Sequence, residues 1–163
     1  QLLMSAEAAK ASFEVIKKSM KTNAAGKCSI VIATVKSDIH DIGKNIVKLL
    51  LENYGFSVYD LGRDVSPEAI LEQTLARRAS LVGLSALMTT TVPAMEKTIK
   101  ALREKLPEVK VVVGGAVLTE EHAATIGADK YAADAMEAVR YAESVEKVIK
   151  NLKAILGGQY EIN

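Results

Sequence analysis

Several things are scarce in this sequence, and each shortage removes a class of function. A single cysteine, Cys28, excludes an intrachain disulfide and any cysteine-based metal cluster, and it suits a reducing cytoplasm. Because it adjoins an apolar run, its thiol is expected to be buried and inert. No stretch approaches the roughly 18 unbroken apolar residues of a membrane span, and no charged-then-apolar leader opens the chain, so the expectation is a soluble intracellular protein. Charge of one sign is lacking too. Twenty-one basic residues against 20 acidic ones leave no field to gather nucleic acid or an anionic membrane surface. Lys17, Lys18, Lys21 and Lys27 form a local basic run, read as a solvated helix face.

What is present reads as one domain. A chain of 163 residues, 49% apolar and 25% charged, can bury a core without room for two full domains. Two periodicities alternate along it, which makes a β/α protein. "CSIVIATV" (28–35) is a strand, followed by a helical pattern over 45–55 that stops at Gly55. A strand at 56–62 leads to a helix capped by Ser66, with Pro67 at its first position. Strand three spans 80–87, helix three runs from Val92 to Leu106, and strand four spans 109–115. A short helix capped by Thr119, a weaker strand near "KYAAD" and a last helix over 135–156 complete the order. Nearly continuous apolar strands separated by helices imply a doubly wound, parallel five-stranded sheet, flavodoxin-like or Rossmann-like. Residues 1–23, with Phe13, Ile16 and Met20 on one face of a helical pattern, are expected to precede the α/β domain of residues 24–163 as a remnant N-terminal helix.

Ligands of such sheets sit beyond the carboxyl ends of the strands. The loops there contain "KSDIHDIG", "SALMTTT" and "GGAVLTE". Asp38 and His40 lie two apart, so the carboxylate can accept a proton from one imidazole nitrogen while the other points outward, as behind metal-bound histidine. Gly43 lets the following helix start close to whatever fills the loop. His122 lies in "TEEHAA", expected to be a solvated helix, which leaves one histidine where zinc takes three or four ligands. A metal held by His40 must therefore arrive with its own ligands, as in a tetrapyrrole-like ring. Ser85, Ala86, Gly114, Gly115 and Ala116 end two strands with small side chains or none, leaving a slot. Thr89, Thr90 and Thr91 place hydroxyls beside it, either for a polar ligand or as caps of helix three. "GKN" lacks the remainder of a phosphate-binding loop, two aspartates would repel a flavin phosphate, and Ser85 stands where a receiver domain needs aspartate.

Asp38, His40 and Gly43, then Ser85 and Leu87, then Gly114 and Gly115 form the order Asp-x-His-x-x-Gly, Ser-x-Leu, Gly-Gly. With this pattern the sequence resembles the cobalamin-binding domain of methionine synthase and of the corrinoid proteins of methyltransferase systems, over about residues 24–156. The resemblance implies a cobalamin, in the methylcobalamin form, bound with its dimethylbenzimidazole tail withdrawn from cobalt and His40 below the metal instead. Asp38 would bond the far nitrogen of His40, and Thr91 falls where methionine synthase has the serine that extends this relay. The cofactor contacts implied are Asp38, Ile39, His40, Asp41, Ile42, Gly43, Ser85, Leu87, Met88, Thr89, Thr90, Gly114, Gly115, Ala116, Tyr131, Ala133 and Asp134. The activity implied is carriage of a methyl group on cobalt between partner methyltransferases. Two alternatives share the pattern: the small subunit of an adenosylcobalamin mutase, and a corrinoid-dependent sensor. The family's helical cap over the upper face of the ring would be represented here by its last helix at most.

Overall fold

The computed structural model describes residues 26–157. The expected N-terminal helix, over 1–23, lies outside that range. Five strands, β1 (Ser29–Thr34), β2 (Ser57–Asp60), β3 (Leu81–Ser85), β4 (Lys110–Gly114) and β5 (Lys130–Tyr131), form one parallel sheet in the order β2-β1-β3-β4-β5. Between them run α1 (Ile42–Asn53), α2 (Pro67–Ala76), α3 (Val92–Lys105) and α4 (Glu120–Thr125), with α5 (Ala135–Gly157) last. The doubly wound parallel sheet is the expected one.

Both faces of β1 are buried, which explains why its sequence is continuously apolar rather than alternating. Val31, Ala33 and Val35 face a core with Ile70, Met95 and Ile99 from α2 and α3. Ile30 and Ile32 face the opposite core, with Leu51 of α1 and Val139 and Ala142 of α5. The caps act as read. Ser66 accepts from the Ala69 amide and Thr119 from the His122 amide, while Gly55, at φ +91°, ends α1 in the left-handed region.

Two boundaries differ from expectation for local reasons. Helix α1 begins at Ile42, three residues early, because the Asn45 amide already bonds the Asp41 carbonyl. Strand β5 stops at Tyr131, with one further ladder bond from the Ala132 amide to Val113. The next amide, of Ala133, is taken by the Glu137 carboxylate, while Asp134 accepts from the Glu137 amide. Those two bonds open α5 and end the ladder. No helix among the described residues is long and apolar enough to cross a membrane.

Candidate functional site

The sheet reverses its winding between β1 and β3, and the loops leaving those strands converge there. Asp38, in the loop after β1, is wholly buried. Its Oδ1 accepts from the His40 amide at 3.0 Å and from His40 Nδ1 at 2.8 Å. Its Oδ2 accepts from the Leu87 amide at 2.7 Å and from the Thr91 hydroxyl at 2.7 Å. Burial by itself would raise this carboxyl, but the donors from His40, Leu87 and Thr91 outweigh it and hold Asp38 well below the usual carboxylate range. An ionised carboxylate only accepts, so His40 Nδ1 carries the proton and, in the neutral ring, Nε2 keeps its lone pair. The ring remains 44% exposed.

Thr91 stands at the N-cap position of α3, but its side chain makes no capping bond. Its hydroxyl also lies 2.8 Å from the Met88 carbonyl, but one proton cannot serve both acceptors, and the charged one binds more strongly. The Thr34 hydroxyl, buried at the end of β1, meets Ser85 Oγ at 2.8 Å and ties the first loop to the third strand.

Beside His40 opens a cavity of about 720 Å³. Of the residues expected at a cofactor, Ile39, His40, Asp41, Ile42, Gly43, Ser85, Leu87, Gly114, Gly115, Ala133 and Asp134 line it. Asp38 and Thr91 stand behind it, reaching it through His40. Met88, Thr89, Thr90, Ala116 and Tyr131 do not line it: Thr89 and Thr90 are exposed in a 3-10 turn, and Tyr131 packs into the core on the α2 and α3 side. Asp134 serves two ends, capping α5 and bordering the cavity. His122 is exposed on α4, as expected.

The glycines sort by what a side chain would meet. A Cβ at Gly115 would fall 1.8 Å from the Ala86 carbonyl, at φ +141°, so the protein itself requires glycine there. A Cβ at Gly43 would meet nothing within 4 Å. Nothing among the described residues fills that space, and Gly43 lines the cavity.

Sequence reasoning missed the far walls, Ile32, Val47, Gly83, Val112 and Ala138, which are strand and helix interiors brought together only by the fold. It also missed Lys44, 5% exposed in the first turn of α1, where a cation opposes the helix dipole. Asp60, ending β2, holds it at 2.5 Å, with Lys48 at 3.8 Å. Burial would raise the Asp60 carboxyl, but the bond from Lys44 and the Gly62 amide lower it. A carboxylate ending an apolar strand was the available signal.

A deep apolar cavity, small residues at two strand ends and a single outward imidazole set by a buried carboxylate suit a large cofactor bringing its own metal ligands. Residues 28–140 match the B12 binding domain family. The chain belongs to that family. Dimethylamine corrinoid protein 1 of Methanosarcina acetivorans is 42% identical over 148 residues, spanning 88% of this chain and 70% of that protein. The structure of Methanosarcina barkeri monomethylamine corrinoid protein aligns with a TM-score of 0.81 at 32% identity, over 89% of this chain and 70% of that one. The methanol:cobalamin methyltransferase complex of Methanosarcina barkeri aligns at 0.73 and 30% identity, over 89% of this chain and 56% of that one. Cobalamin or a related corrinoid is the cofactor of this B12-binding domain.

Proposed function

We propose that this B12-binding domain is a methyl carrier, with His40 as the lower cobalt ligand and partner methyltransferases as methyl donor and acceptor. The observation that carries the reading is the buried Asp38 carboxylate, whose bond to His40 Nδ1 leaves Nε2 free at the cavity. Bound corrinoid supplies a cobalt centre able to accept and surrender a methyl group. The chain's own work is to hold and tune. Ser85 and the Gly114–Gly115 pair, where the walls are apolar and side chains are small, would hold the nucleotide tail of the cofactor. Asp38 fixes the tautomer of His40 and makes its lone pair a better donor, and Thr91 anchors Asp38 from behind. The ionised Asp38, bonded to Nδ1, would stabilise a proton taken up at His40 Nε2. Similarity to methylamine corrinoid proteins makes methylamines the first donors to test, and the reducing cytoplasm is the setting that a lone thiol suits.

The test is to load purified protein with hydroxocobalamin, remove free cofactor and record the visible spectra of wild type and His40→Ala. Stoichiometric retention with a histidine-on spectrum that the variant lacks is expected. Retention with identical spectra removes His40 from the metal, and no retention by the wild type refutes the corrinoid site.

A further inference from the structure

Beyond the relay itself, the loop that presents His40 is fastened from outside by one residue of the neighbouring loop. The chain leaving β1 makes a turn closed by the Asp38 amide on the Val35 carbonyl, with Ser37 inside it at φ +68°. That is a left-handed position of the kind usually given to glycine. Facing it, in the loop after β2, Asp64 is also left-handed, at φ +55°. These two non-glycine residues hold each other. Asp64 Oδ1 accepts from the Ser37 amide at 2.8 Å and from Lys36 Nζ at 2.9 Å, while the Asp64 amide donates to the Asp38 carbonyl at 2.9 Å. Asp64 thus grips the backbone on both sides of the Asp38 α-carbon. The adjoining bonds, from the Thr34 amide to Gly62 and from the Val65 amide to Thr34, fix the two loops in register.

Both strained residues are solvent-exposed, so no core packing holds them in place. What holds Ser37 and Asp64 there is therefore their bonds to each other and to the Asp38 carbonyl, next to the site. If the turn relaxed, the Asp38 α-carbon would move, and the carboxylate that orients His40 would move with it. We propose that Asp64 is a positioning residue for the Asp38–His40 pair: its carboxylate and amide hold the turn in the conformation that presents the imidazole to cobalt. The inference rests on the reading of His40 as lower ligand.

The test compares Asp64→Asn and Asp64→Gly with wild type, each loaded with cobalamin and reduced to the cobalt(II) form. An axial nitrogen splits the electron paramagnetic resonance lines into triplets, so the spectrum reads the ratio of histidine-on to histidine-off protein. Asparagine keeps the side-chain acceptor and tolerates the left-handed backbone, so its ratio should stay within twofold of wild type. Glycine relieves the backbone but removes the acceptor, and its ratio should fall at least fivefold. A wild-type ratio in Asp64→Gly overturns the proposal, as does an Asn variant that falls as far as the Gly one. Because the ratio is taken within loaded protein, incomplete folding of a variant does not alter it. His40→Ala supplies the histidine-off reference. Should that reference match wild type, the ligand reading fails, whatever Asp64 does.

Discussion

At the carboxyl ends of the strands, a cavity of about 720 Å³ lies beside His40. At their amino ends, a groove of about 650 Å³ is bordered by Leu75, Tyr141, Val145, Val148 and Leu152. The two openings differ little in size. Behind the first stand the buried Asp38, Thr34 and Thr91, and the buried Lys44 lines it; left-handed non-glycine backbone occurs at both ends, at Ser37 and Asp64 near the first and at Arg78 in the second. Around the second, the polar groups are used for joining elements. Glu146 takes the Cys28 amide, and Arg103 ties the Val109 and Gly127 carbonyls to Asp129. Volume alone therefore does not distinguish a working site. The distinction lies in buried polar groups arranged so that one atom, His40 Nε2, is left over.

Removing the centre of that arrangement should produce the largest difference between the two ends. Asp38→Ala leaves the His40 and Leu87 amides and the imidazole without their acceptor, while the Thr91 hydroxyl turns to the Met88 carbonyl, and chemical denaturation should show a loss on the order of 3 kcal/mol. Its pH dependence follows from the lowered carboxyl. The folded value lies below the unfolded one of about 3.9, so the contribution is fully present above roughly pH 5 and is lost as pH falls through the folded value. Wild type should weaken on acidification below about pH 5, and Asp38→Asn should flatten that slope. An unchanged slope would mean that Asp38 is not held ionised by its donors.

Next in size is a contrast within the cavity. Gly115→Ala forces a Cβ against the Ala86 carbonyl at a backbone angle alanine avoids, and should lower apo stability by about 2 kcal/mol or more. Gly43→Ala meets no atom of the described residues and replaces a poor helix former, so apo stability should rise by roughly 0.5 kcal/mol. Cobalamin retention should nevertheless drop in both. Unimpaired retention by Gly43→Leu would show that the space over α1 belongs to solvent and not to the cofactor.

How much of this was legible beforehand depended on whether the information was local. The order of strands and helices along the chain followed from alternating periods and capping residues such as Ser66 and Thr119, whose effects span three or four residues. Asp38 and His40 were legible because their contact spans two residues at a strand end, and Ser85, Gly114 and Gly115 because absent side chains show directly. The pairing of Lys44 with Asp60 was not legible, since 16 residues separate a helix position from a strand end. Nor was the hold of Asp64 on Ser37, which depends on β1 and β2 being neighbours and on two left-handed backbones that the residue types do not advertise. Met88, Thr89 and Thr90 follow β3 without lining the cavity, because the 3-10 turn there leaves Thr89 and Thr90 exposed.

The smallest effect is expected at the amino end. Cys28 is half-buried where β1 begins, and burial, reinforced by the Glu146 carboxylate, pushes its thiol up to about 12. A thiol in that state holds its proton at neutral pH, and thiolate is the form that reacts. Alkylation of the folded protein at pH 8 should therefore be slow, becoming fast only in denaturant. Glu146→Gln removes the charge that disfavours the thiolate and should speed the reaction without changing cobalamin retention. A substitution there that did alter retention would mean that the two ends are coupled through α5, which borders both openings at Ala138 and at Val145.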